Sequence, residues 1–115
     1  MRGFWLADSI EFGAAVHGEF WLSLASLLRS YTAIHGLNRE RQATVELDGE
    51  RILLRYGAQW LGLQRSGATV RWQREDGRSG ILEFTEAGRL RGAPGRDEDM
   101  EMDMAAEAWA RELMQ

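Results

Sequence analysis

The chain has 115 residues, no cysteine and a formal net charge of −4; all 14 basic residues are arginine. One domain is expected, and with 44% hydrophobic and 28% charged residues a packed core is expected rather than disorder. These counts exclude a disulfide framework, thiolate chemistry, cysteine-held metals, and Schiff-base or phosphate-loop lysines.

Residues 1–15 read as an N-terminal arm. The apolar run at 4–7 is too short for a secretory signal, and Asp8 and Glu11 break the apolar character after it. No stretch approaches the roughly 18 apolar residues of a membrane span. A cytoplasmic location without a membrane partner is the expectation. Arginine without lysine fits the codon usage of a GC-rich bacterial genome.

Residues 16–35 predict a helix. On a wheel of ~100° per residue, Val16, Phe20, Trp21, Leu24, Leu27, Leu28, Tyr31 and Ile34 fall in one sector of roughly 140°. Gly36 is the stop signal. The opposite side is small, with Ser23, Ala25, Ser26, Ser30 and Ala33, and reads as solvated. His17 and His35 share an angular position but lie five turns apart, ~27 Å, so they cannot share a metal. Partly buried structural roles are expected for both.

Across 42–91 the period changes from 3.6 to 2, and turn signals recur. Two-residue loops at Asp48-Gly49, Gly57-Ala58 and Ser66-Gly67 pair Val45 with Ile52, Ile52 with Leu63, and Leu63 with Val70. A three-residue loop, Glu75-Asp76-Gly77, pairs Val70 with Leu82 and Ala68 with Phe84. A short sixth strand, 89–91, closes a five- or six-stranded antiparallel meander. One face is apolar. The other carries Arg51, Leu53, Arg55, Trp60, Arg71, Ile81 and Glu83 among polar residues. Three large apolar side chains interrupt this face; Arg55 opposite Trp60 suits a cation–π contact on a half-wet face, and the same residues offer a protein-interaction or dimer surface.

Residues 92–97, with Gly92-Ala93-Pro94-Gly95, read as a linker, and 98–114 as a second helix anchored by Trp109. Alternatively, 97–103 stays extended as an acidic arm. Charge is uneven: residues 1–38 carry −1, 39–92 carry +2, and 93–115 carry −5. Met100, Met102 and Met104 form a weak copper-like pattern, for which packing on a helix is the commoner use.

The expected architecture is α+β: a long N-terminal helix, an antiparallel meander and a C-terminal helix, both helices on one sheet face. The expected core is Val16, Phe20, Leu24, Leu27, Tyr31, Val45, Ile52, Leu54, Leu61, Leu63, Val70, Trp72, Leu82, Phe84 and Trp109. No dinucleotide, phosphate-loop, zincin, EF-hand or nucleophile-elbow spacing occurs. No catalytic residue, metal or cofactor is assigned. A pI of 5.2 and a regional charge of only +2 argue against nucleic acid. The leading function is a non-enzymatic interaction module that binds a protein partner or itself as a homodimer. It would use the arginine- and tryptophan-bearing sheet face and the acidic C-terminal segment. The alternative is a small-molecule-binding domain, possibly enzymatic, with a pocket between the long helix and a curved sheet. In size, acidic pI and α+β character the chain broadly resembles bacterial secretion chaperones and toxin-immunity proteins, with no motif of either family.

Overall fold

Glycine-led turns set the architecture. The computed structural model describes the backbone of residues 2–92 and 99–115 and the side chains of residues 16–92 and 99–115. Helix α1 (Arg2–His35) precedes strands β1 (Thr44–Asp48), β2 (Arg51–Tyr56), β3 (Gln59–Ser66), β4 (Thr69–Arg74), β5 (Ser79–Phe84), β6 (Leu90–Arg91) and β7 (Asp99–Met100). Helix α2 (Met102–Leu113) ends the fold. The strands form one antiparallel sheet in chain order. The class is α+β as expected, with seven strands among the described residues in place of five or six.

Two hairpin registers differ from expectation. The observed loops are Gly49-Glu50 and Gly67-Ala68, which pair Val45 with Leu54 and Leu63 with Trp72. Placing Asp48 or Ser66 in the first loop position would force a side-chain-bearing residue into the left-handed region. Among the described residues only glycines have positive φ, with Gly49 at 58°, Gly57 at 64° and Gly67 at 61°. Each glycine leads its loop, the arrangement expected for Gly57-Ala58 alone. The correction moves each pairing by two residues. An even slip keeps every side chain on its face, so the apolar face survives unchanged. The β4–β5 loop and its Val70–Leu82 pairing are as expected, with Gly77 at φ 91°.

The first helix is longer than expected and begins at Arg2, through the segment read as an arm. At 34 residues it measures ~51 Å, about twice the ~27 Å of the eight-residue β3. Its core contacts come from Phe20, Trp21, Leu24, Ala25, Leu27, Leu28 and Tyr31. The fully buried set is Trp21, Leu24, Ala25, Leu28 and Thr32, while Ile34 is 57% exposed. The buried stripe is therefore rotated by roughly 60° from the centre of the apolar sector. Helix α1 faces both the sheet and α2, and Ala25 and Thr32 turn inward. Ser23, Ser26, Ser30 and Ala33 are exposed, as read for the small side. Trp21 Nε1 donates to the Gly49 carbonyl at 2.9 Å, tying α1 to the first hairpin turn.

The second helix starts later than expected. Gly92 apart, the linker 92–97 lies outside the described residues, as does position 98. Asp99–Met100 is strand: Leu90 pairs with Met100, and Arg91 meets Asp99 at 3.0 Å. Helix α2 then buries Ala105, Ala106, Ala110 and Leu113, with Met114 behind them. Trp109, the expected anchor, is only half-buried. Small side chains let α2 lie close to α1. The Tyr31 hydroxyl donates to Asp103 at 2.7 Å, and His35 Nε2 lies 3.3 Å from Glu107. Each step is four residues in both helices, so α2 and the end of α1 run parallel. Both histidines are half-buried.

Both helices cover the apolar face, where Ile52, Leu54, Leu61, Leu63, Val70, Phe84 and Leu90 are buried. Of the expected core, Phe20, Leu27, Tyr31, Val45, Trp72, Leu82 and Trp109 pack around this centre only half-buried, and Val16 stands outside it. Replacing Leu28, fully buried where helix meets sheet, with alanine is expected to cost about 2–5 kcal/mol in urea unfolding. The same change at Leu22, 58% exposed, is expected to stay within about 0.5 kcal/mol.

Candidate functional site

Among the described residues one face of the sheet carries no helix, and every residue singled out there stands on it. Arg51, Leu53 and Arg55 come from β2, Trp60 from β3, Arg71 from β4, and Ile81 and Glu83 from β5. Register places them in rows. Arg51, Gln64, Arg71 and Ile81 run across four strands; Leu53 faces Gly62; Arg55 faces Trp60; Thr69 faces Glu83. Neighbouring strands are ~4.8 Å apart, so Arg51 and Arg71 flank Gln64 about 10 Å from each other. None of these side chains is buried, and Ile81 is 54% exposed.

Trp60 owes its position to Gly62 rather than to Arg55. A Cβ on Gly62 would lie 3.6 Å from the indole Cζ3, so the ring lies along its own strand over bare backbone. The aromatic covers the gap an interior glycine leaves in a strand. Among the described residues the cation–π contact is Arg39 over Tyr56, at 5.8 Å, and not the expected Arg55–Trp60 pair. Leu53, Arg55 and Trp60 line a shallow depression of about 400 Å³ beside the β2–β3 turn.

Two populations of arginine emerge. Arg65 pairs with Glu50 at 2.7 Å; Arg91 pairs with Asp99 and Arg89 with Glu101. Arg74 and Arg78 share Glu112 at 3.3 and 2.6 Å, and Arg111 meets Glu107. Among the described residues, Arg51, Arg55 and Arg71 have no carboxylate within 4.0 Å. Among the described residues, Glu46 and Glu83 on the same face likewise make no such contact. Glu83 stands opposite Arg91, which bonds Asp99 instead.

Asp99, Glu101 and Glu112 of the acidic C-terminal segment thus lie on arginines of the sheet region. Its anchor is the β4–β5 turn. There the Arg74 guanidinium, and then the Trp60 backbone N–H, hold the Glu75 carboxyl below its ordinary value. The Arg78 backbone N–H and side chain do the same for Asp76. Asp103, bonded to the Tyr31 hydroxyl, pushes that phenol upward.

A pocket lies under α2. It is lined by Trp72, Arg74, Leu82, Leu90, Trp109 and Glu112 among others, none from α1. Sequence reasoning placed Trp72 in the core and missed Arg74. The signal was present: Arg74 shares the inward phase of Val70 and Trp72 on β4, an unusual place for a charge. No helix among the described residues is long and apolar enough to cross a membrane. The chain matches no protein-family model, and comparison with curated proteins and with solved structures finds no significant similarity.

Because Glu75 and Asp76 are more acidic when folded, their stabilising effect is full well above their ordinary values near 4.5 and 3.8. It is lost as pH falls through their lower folded values. The thermal midpoint is expected to drop between about pH 5 and pH 3, and Glu75→Gln is expected to flatten that drop.

Proposed function

We propose that the protein is a non-enzymatic cytoplasmic interaction module that self-associates through its open sheet face. One observation carries the reading: opposite charges in balanced number, unpaired among the described residues, surround an apolar centre. Arg51, Arg55 and Arg71 stand with Glu46, Asp48 and Glu83 around Leu53, Trp60 and Ile81. A second copy brings the same set. In an isologous contact the acids of each copy are available to the arginines of the other. Trp and Arg are the residues that most often anchor such contacts. Nucleic acid fits less well, because the face has no excess of positive charge. The acidic C-terminal segment supports the reading indirectly. It neutralises Arg74 and Arg78 around the β4–β5 turn and leaves Arg51, Arg55 and Arg71 of the sheet face to a partner.

Five strands at ~4.8 Å and six residues at ~3.4 Å make a face of roughly 20 by 20 Å, small for a stable interface. Association in the micromolar range is therefore expected. Sedimentation velocity across that range is expected to show a monomer–dimer equilibrium that weakens in ~1 M salt. The double variant Arg71→Glu/Ile81→Asp is expected to stay monomeric with an unchanged circular dichroism spectrum, since neither side chain is part of the core. A wild-type chain monomeric throughout, or a variant that associates equally well, would overturn the proposal.

A further inference from the structure

Helix α2 presents two faces to the fold. Ala106, Ala110 and Leu113 are fully buried in the core. Ala105, Ala108, Trp109 and Glu112, spaced i, i+3, i+4 and i+7, instead stand over a cavity of about 360 Å³ between α2 and strands β4–β7. Trp72, Leu82, Leu90 and Met100 line its sheet side. Small residues keep the space open: alanine holds two of the four α2 positions, and Gly92 lies on the sheet side. Trp72 lies against Gly80, its cross-strand partner, where a Cβ would sit 2.5 Å from the indole nitrogen.

Trp72 therefore forms a wall on the sheet and Trp109 a wall on the helix. Both are half-buried, and they do not pack on each other: among the described residues the paired aromatic rings are Phe20 and Phe84. The two indoles bound the space from facing elements without closing it. The charged end is already balanced. Arg74 lies 3.0 Å from Glu75 and 3.3 Å from Glu112, and Arg78 lies 2.7 Å from Asp76 and 2.6 Å from Glu112. Three carboxylates face two guanidiniums, so an anionic ligand would meet no unmatched cation. A cationic one would meet two guanidiniums and, among the lining carboxylates, Glu112 alone. Either charge would also lose hydration against the apolar walls. A neutral ligand avoids these costs.

We infer that this cavity binds a small, uncharged aromatic molecule between Trp72 and Trp109. Aromatic rings pack favourably on the faces and edges of other rings. An apolar cavity of ~150 Å³ holds benzene, so one of about 360 Å³ takes a fused two-ring compound. The site is on the helix-covered side of the sheet and does not rest on self-association through the open face.

The test titrates the full, isotopically labelled chain with unlabelled indole, indole-3-acetate, tryptamine and octanol. Calorimetry and the protein's tryptophan indole N–H signals follow each titration. Indole is expected to bind one per chain and to shift the Trp72 and Trp109 signals while those of Trp21 and Trp60 hold still. The anion, the cation and the alcohol are each expected to bind at least tenfold more weakly. Ala108→Phe, which fills the cavity from α2, is expected to abolish indole binding with an unchanged circular dichroism spectrum. Trp109→Ala, at a half-buried position, is expected to weaken it at least tenfold, and decides the matter should Ala108→Phe fail to fold. The inference fails if indole does not saturate or if a charged analogue or octanol binds as tightly. It fails equally if the Trp60 signal moves in place of Trp72 and Trp109, or if either folded variant binds indole as the wild type does.

Discussion

A period of two, kept in phase through five tightly turned strands, governs everything else in the molecule. Gly49, Gly57 and Gly67 each open a two-residue loop, and Gly77 closes a three-residue one. Each loop returns the chain with its apolar residues on the same side. A one-residue slip in any of them would send Leu61 and Leu63, or Val70 and Trp72, to solvent. With the phase kept, one face is apolar and must be covered, and both amphipathic helices serve it. The other face results from the same alternation, polar with an island of Leu53, Trp60 and Ile81.

Charge then divides the two faces by role. The negative C-terminal segment folds back over the end of the sheet, and Glu112 brings Arg74 and Arg78 together under α2. That contact positions α2 beside α1, where Ala105, Ala106 and Ala110 permit close approach. Exposed pairs of this kind contribute little individually. Around the largely buried Arg74 the geometry matters more, because removing Glu112 would leave a desolvated cation with half its partners. Among the described residues Arg51, Arg55 and Arg71 of the open face have no such internal partner, and this difference underlies the proposed reading of the surface.

Much of this was legible in the residues. Alternation placed all seven site residues on one face, and the β4–β5 loop was readable because only a three-residue turn kept Val70 and Leu82 in phase. What escaped has physical causes. The Asp-Gly and Ser-Gly signals suggested loops one residue too early, since a dipeptide does not say which position must be left-handed. The error was even in register and left the faces intact. The rotation of α1 was hidden because a helix wheel reports which residues are apolar and not how many neighbours they must meet. Ala25 and Thr32 are buried although neither falls in the apolar sector. On the same wheel, Trp5, Leu6, Ile10 and Phe12 fall in or within ~40° of the sector that begins at Val16, a signal for the longer helix. The cavity depended on Arg74 being inward, a phase the strand pattern did contain, and on α2 standing off the sheet, which it did not.

If the face left open by this phase is the surface on which two copies meet, its tryptophan must sense concentration. An NMR dilution series of the isotopically labelled chain, following the tryptophan indole N–H signals, reads this without perturbing the protein. The Trp60 indole and the amides of β2–β4 are expected to shift together with concentration. The Trp21 indole, bonded to the Gly49 carbonyl on the covered side, is expected to hold still. A Trp60 signal independent of concentration, or shifts confined to the helices, would show that the open face is not where the copies meet.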